Sequence, residues 1–199
     1  MVEEKVAGPS FSWDENDPPS MQAKERLRWM LTYLDHPTLQ ELLLYIDHKG
    51  PVSLRILEWC VTNYSKIHAR HLHEKYISFR NLWKRHLFDC FARFTKPKAS
   101  SRAARSVIIY LHYDGQKHRT TVAQLHYLLW AKKNGVLEYC VAHEKEIEAH
   151  MIETMTQSQE VKRVAKMVGL KKKRSTLTHI AVQNSCVFYD VETTVSLSV

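Results

Sequence analysis

The stretch Thr120 to Tyr139, TTVAQLHYLLWAKKNGVLEY, marks a helix at both ends and constrains the fold more than any other segment of the chain. Thr121 and Gln124 have the spacing of a capping box, in which the hydroxyl accepts from the N3 amide and the Gln side chain reaches back to the cap, so the helix begins at Val122. Lys132 and Lys133 fall in the last turn, where cations complement the negative helix end, and Asn134-Gly135 supplies a left-handed residue to close it. Val122, Leu125, Leu128 and Leu129 make an apolar stripe, while Tyr127 and Trp130 lie off that stripe. A helix that is apolar on more than one side must be embraced on more than one side. This element therefore reads as a core helix, framework that holds cationic patches in place.

Residues 1–17 carry few apolar side chains and are acidic, which predicts a mobile acidic arm with Phe11 and Trp13 as possible anchors. A helical segment, 18–94, follows. Ser20 caps its first helix, with Leu27, Met30, Leu31 and Leu34 in register, and Asp35-His36-Pro37 breaks it. Thr38 and Glu41 repeat the capping-box spacing before a second helix that Gly50-Pro51 stops. Ser53 starts a third, with Leu54, Leu57, Val61 and Tyr64 on one face and Ile56 and Cys60 beside it. Phe79, Leu82, Trp83, Leu87 and Phe91 recur at helical spacing and predict a fourth, basic and amphipathic, over much of 74–94.

Residues 95–105 contain Pro, small residues and cations without a large apolar side chain, as expected of a basic linker. Over 106–199 the chain predicts a hairpin turning at Asp114-Gly115, the capped helix, a further helix after Gly135 that 157–168 either prolongs or follows, and C-terminal strands in THIAVQNSCVFYDVETTVSLSV. The fold class is thus α+β, mostly helical, with a small antiparallel sheet formed by the central hairpin, near Tyr110, and those C-terminal strands.

Composition narrows the function classes. The chain has 29 Lys and Arg against 21 Asp and Glu, a net charge of +8, which favours polyanionic partners. Its five glycines form neither a P-loop nor a dinucleotide fingerprint, which weighs against a kinase, an ATPase or an NAD enzyme. Cys60, Cys90, Cys140 and Cys186 are widely spaced with no C-x-x-C pair, as expected of reduced thiols in an intracellular protein rather than a zinc ribbon. No apolar run reaches the ~18 residues of a membrane span.

Three groups of residues carry chemical interest. His68, His71 and His73 in HARHLH are closely spaced, but i, i+3, i+5 does not bring three imidazoles to one helix face, so the expectation is a basic segment and no metal. Glu144 and Glu148 in HEKEIEAH share a face, most simply as an exposed charged surface. Lys171, Lys172, Lys173 and Arg174 form a compact cation run suited to phosphates or to nuclear import, and they are the first candidates for nucleic-acid contact. Lys84, Arg85, Arg102 and Arg105 are the second, within a basic cluster that also holds Arg93; Lys162 and Arg163 accompany the first. Trp83 and Phe88, interleaved with Arg80, Lys84 and Arg85, are at spacing more typical of core than of base stacking.

ILEWCVTNYSKIH, LWKRHLFDCFARF, the capped helix and the basic-then-strand ending resemble, in that order across 54–199, an uncharacterised group of small basic proteins of nucleocytoplasmic large DNA viruses. Gln124-Leu125-His126 stands where the group has Gln-Leu-Asn, and Cys90-Phe91-Ala92-Arg93 where it has Cys-Arg, so the chain reads as a divergent member. The resemblance implies a viral origin and an infected cell, cytoplasm or nucleus, or the virion, as the setting. It carries over no catalytic residue and no cofactor. The expectation is a non-enzymatic protein that binds DNA or viral nucleoprotein through basic surfaces, with packaging in the virion alongside other virion proteins. The alternatives are a minor capsid or protein-interaction component and, third, a transcription-associated factor or metal-dependent nuclease.

Overall fold

The computed structural model describes residues 9–13, 15, 18–83, 87–93 and 108–167. In chain order its elements are strand β1 (Ser10–Trp13), helices α1 (Met21–Leu31), α2 (His36–Ile46) and α3 (Leu54–Trp59), a π-helical turn (Cys60–Tyr64), α4 (Ser65–His68) and α5 (Arg70–Leu82), strands β2 (Ile108–Tyr113) and β3 (Gln116–Thr121), then α6 (Val122–Lys133), α7 (Val136–Ala142) and α8 (Glu144–Met167). The fold is α+β and mostly helical, with a small antiparallel sheet. Met1–Thr156 make one compact unit and Gln157–Val199 a second, whose described part is the end of α8. The predicted helical segment and the hairpin, separated in sequence by the basic linker, thus lie in one unit.

The capped helix is α6. Thr121 Oγ1 accepts from the Gln124 amide at 3.1 Å, and Gly135 has φ +70°. Every residue from Val122 to Ala131 is buried, because α1, α2, α7 and β3 all pack against this one helix. The second half of the capping box differs from expectation: the Gln124 side chain accepts from Thr120 Oγ1 at 2.8 Å. Both side chains are buried, so the hydroxyl and the amide satisfy each other. Other polar atoms of the helix reach outward. Tyr127 donates its hydroxyl to Leu57 O at 3.3 Å, and Ala123 O accepts the Asp89 amide at 3.2 Å.

The sheet contains the expected hairpin and a further strand beside it. Its order is β1-β2-β3, with Ser10 opposite His112 and Trp13 opposite Ile109 on one side, and Ile108 opposite Thr121 through Tyr113 opposite Gln116 on the other. Part of the predicted mobile arm therefore supplies the third described strand. β2 is central with both edges occupied, and the predicted C-terminal strands lie outside the described residues. The turn is where the sequence put it: Asp114 and Gly115 both have positive φ, as a two-residue hairpin requires.

Three helix boundaries also move. Asp35, not Thr38, caps α2, its carboxylate accepting from the Thr38 amide at 3.0 Å, because Pro37 in the first turn has no amide to satisfy. The fourth predicted helix ends at Leu82, and Leu87, Phe88 and Cys90 are buried without being helical. Their polar groups go to other elements: Leu87 O accepts from His126, the Asp89 amide goes to α6, and the Cys90 thiol donates to Leu54 O. After Gly135 the chain makes two helices broken at His143, the second continuing without interruption to Met167. Ser20 and Ser53 cap α1 and α3 as predicted. Among the described residues no helix is long and apolar enough to cross a membrane.

Two substitutions probe this frame. Thr121→Ala removes a buried cap and is expected to lower unfolding free energy by about 1 kcal/mol in urea titrations. A Cβ at Gly50 would lie 2.7 Å from the buried Tyr45 ring, so Gly50→Ala is expected to cost about 1–3 kcal/mol, read in the same titration.

Candidate nucleic-acid interface

Lys171, Lys172, Lys173 and Arg174 lie outside the described residues, as do Lys84, Arg85, Arg102 and Arg105. Their described neighbours divide. Arg93 is tied to Glu58 and Asp89, both at 3.2 Å, and is not free to neutralise a phosphate. Lys162 is exposed, and Arg163 pairs with Glu160 at 3.0 Å. Along α4 and α5, Lys66, Arg70, Lys75 and Arg80 are exposed together with His68 and His71, and Glu74, bonded to Arg70, is the only exposed carboxylate among these described residues.

A second cationic region lies where α1, the end of α5 and the last turn of α6 meet. Helical periodicity turns Ala23, Leu27 and Met30 into the core and leaves Arg26, Trp29 and, just past the helix, Tyr33 on the outer side. α5 stops at Leu82, which delivers Trp83 to the same place. The Arg26 guanidinium carbon lies 3.6 Å from the Trp83 ring centre and 4.6 Å from that of Trp29. Lys133 Nζ sits 3.5 Å from the Tyr33 ring centre and 5.3 Å from that of Trp29. Cations over aromatic faces are held by the ring quadrupole, at a cost in hydration. Accordingly, desolvation holds both the Arg26 and the Lys133 pKa below their usual values. Trp29 is 39% exposed and Tyr33 48%, so the rings still face solvent. Gln22, Glu25, Arg26, Trp29, Leu82, Trp83 and Leu87 line a cleft of about 490 Å³.

Behind this cleft sits His126 of α6, only 1% exposed. Its ring meets those of Phe79, Trp83, Phe88 and Trp29 edge-on, with centres 5.3, 5.4, 5.6 and 6.2 Å away. Leu87 O, 2.8 Å from Nδ1, can only accept, so Nδ1 carries the proton. Burial lowers the His126 pKa to about 4, with the nearby Arg26 charge acting in the same direction and the Leu87 carbonyl partly opposing. The neutral ring then leaves Nε2 as a bare acceptor, and that atom is buried without a hydrogen-bond partner. Trp83 Nε1, a donor, is buried and unpartnered as well.

The other signals resolve into packing. His68 stacks on Tyr64 at 4.2 Å, His73 Nδ1 bonds Val61 O at 2.8 Å and His71 is exposed, so the three imidazoles diverge. Glu146, rather than Glu144 or Glu148, makes the notable contacts of α8, accepting from the Tyr64 hydroxyl at 2.7 Å with His143 Nδ1 at 3.3 Å. Burial and that carboxylate push the Tyr64 hydroxyl up to about 12. Among the described residues no three His, Cys, Asp or Glu side chains are placed to hold a metal ion. Phe88 is core, 3% exposed, whereas Trp83 lines the cleft. Sequence reading missed Arg26, Trp29, Tyr33, Lys133 and His126. The i, i+3, i+7 spacing of the first three on the polar side of α1 was a usable signal; their meeting with α5 and α6 was not.

The profile of a family of unknown function, DUF7197, matches residues 28–187. An uncharacterised protein of Acanthamoeba polyphaga mimivirus, L507, is 27% identical over 136 residues, covering 61% of this chain and 49% of that relative. The chain thus spans about half the length of the relative it matches. No solved structure matches.

The buried neutral His126 sets a pH dependence. Unfolding raises its pKa from about 4 to the usual 6.5, so the unfolded chain binds the extra proton between those values and stability falls as pH drops through that window. The contribution is complete above pH 6.5. Between pH 7 and 5 it amounts to about 2 kcal/mol, and His126→Phe is expected to remove that slope from urea unfolding followed across this range.

Proposed function

We propose that this chain, which belongs to the family of unknown function DUF7197, is a non-enzymatic protein of a large DNA virus that binds DNA or nucleoprotein through basic surfaces. The observation that carries this reading is the placement of charge. The net charge is +8, and along α4 and α5 four cations, Lys66, Arg70, Lys75 and Arg80, are exposed beside a single exposed carboxylate. Arg26, in the cleft beside Glu25, and Lys133, over the neighbouring Tyr33 ring, add to it, and in the chain Lys84 and Arg85 follow Trp83 directly. Cations of this kind neutralise phosphates and release counterions, which positions a polyanion without reading its sequence. Lys171 to Arg174 are the first phosphate contacts in this reading, and Lys84, Arg85, Arg102 and Arg105 the second. The viral relative supports a viral origin; an infected cell as the setting and the virion as one destination belong to the same proposal.

A second reading, a minor capsid or protein-interaction component, draws on the sheet. β1 and β3 each present an outer edge that carries no further strand among the described residues, and such an edge accepts an added strand from another chain. Copurification of the protein with particles that lack nucleic acid favours this reading over the first.

The test is a salt titration of binding to a labelled DNA duplex by anisotropy. Binding is expected to weaken steeply with salt, and replacing Lys171 to Arg174 together with Ala is expected to reduce the slope of log affinity against log salt by about three to four. Unchanged affinity and slope in that variant reject the assignment of those four residues.

A further inference from the structure

We propose that the cleft between α1 and the end of α5 is a nucleotide site for single-stranded nucleic acid, in which an unpaired base stacks on Trp29 and Trp83 while Arg26 and Lys133 take its phosphates. This rests on the nucleic-acid binding proposed above and specifies the kind of strand and the residues that hold it.

The first support is the pairing of ring and charge. Arg26 and Lys133 make no ion pair with a carboxylate among the described residues; their contacts are the faces of Trp29, Trp83 and Tyr33. A nucleotide offers each of these groups a better partner than it now has. A phosphate gives guanidinium a bidentate, charge-assisted contact, and a base gives indole a stacking surface. Arg26, half-buried at the rim, swings from the indole to the phosphate, and the base takes the face it vacates. The exchange leaves neither ring nor cation exposed.

The second support is an unsatisfied donor in the wall of the cleft. Trp83 lines the cleft, and its Nε1 is a buried donor without a partner. Buried polar atoms are normally paired, and an oxygen of an entering nucleotide supplies the acceptor this donor lacks. The cleft, about 490 Å³, lies within the range of about 300–1,000 Å³ usual for small-ligand sites. Bases inside a duplex have their faces stacked, so an unpaired nucleotide is what brings a free base face and a phosphate to the cleft together.

The experiment compares a labelled single-stranded oligothymidylate with a duplex of the same length, at matched salt and with the full chain, and adds thymidine monophosphate as competitor. The single strand is expected to bind more tightly than the duplex and to quench tryptophan fluorescence. Trp29→Ala is expected to weaken single-strand binding about five- to 150-fold with little change for the duplex, whereas Trp29→Phe retains most of it. Trp29 is at the surface, and unchanged circular dichroism checks that the fold persists. Arg26→Gln is expected to lower the salt slope by about 0.7. Equal affinity for both forms, with Trp29→Ala without effect while Lys171–Arg174→Ala still weakens binding, overturns the cleft and leaves polyanion binding standing. Binding of neither form at low salt overturns both. A monophosphate that competes as strongly as the oligonucleotide overturns the assignment to strands in favour of free nucleotides.

Discussion

Burial of α6 is the constraint on which everything else depends. Its residues from Val122 to Ala131 are all out of solvent, so each polar atom among them must find a partner in another element or remain unsatisfied. Most do. Gln124 bonds Thr120, Tyr127 bonds Leu57, and the Ala123 carbonyl takes the Asp89 amide. These bonds reach β3, α3 and the 87–93 segment, and the apolar side chains between them pack on α1, α2 and α7. One helix therefore sets the positions of most of the unit. Lys132 adds a tie at its end, reaching Glu41 of α2 and Glu138 of α7 at 2.7 and 2.6 Å.

His126 is where this constraint meets the surface. The same burial that keeps α6 in place keeps this imidazole neutral, with one nitrogen spent on Leu87 and the other unsatisfied. Holding it there requires the aromatic wall of Trp29, Phe79, Trp83 and Phe88. Two of those rings, Trp29 and Trp83, line the cleft and carry Arg26 on their faces. The cleft is thus an outgrowth of the core, its walls fixed by side chains whose other edges pack inside. Sites supported in this way hold their geometry better than sites on free loops.

Membership of a family of unknown function and a mimivirus relative give the chain a lineage without a chemistry. The chemistry proposed for it comes from charge and from aromatic surface, the two features a protein needs to hold a polyanion and an exposed base together. Both are present in the described residues, independently of the cation run at Lys171 to Arg174.

By itself the sequence determined the local elements whose signals are local. The Ser20, Ser53 and Thr121 caps, the Asp114-Gly115 turn and the left-handed Gly135 were legible because capping and turn chemistry act within a few residues. The core nature of α6 was legible because its apolar residues go all the way round. What the tertiary structure decided is where chains of similar local preference went. Phe79 to Phe91 has one helical period throughout, yet the helix stops at Leu82 because Leu87, Asp89 and Cys90 find their hydrogen-bond partners on α6 and α3. A strand from the polar N-terminal segment sits beside β2 because the edge of a hairpin must be paired or covered, and strand pairing is set by what lies next to that edge rather than by propensity. The cleft and its surroundings belong wholly to this second class: Arg26, Trp83, His126 and Lys133 are scattered along the chain, and only the packing of α1, α5 and α6 makes them neighbours.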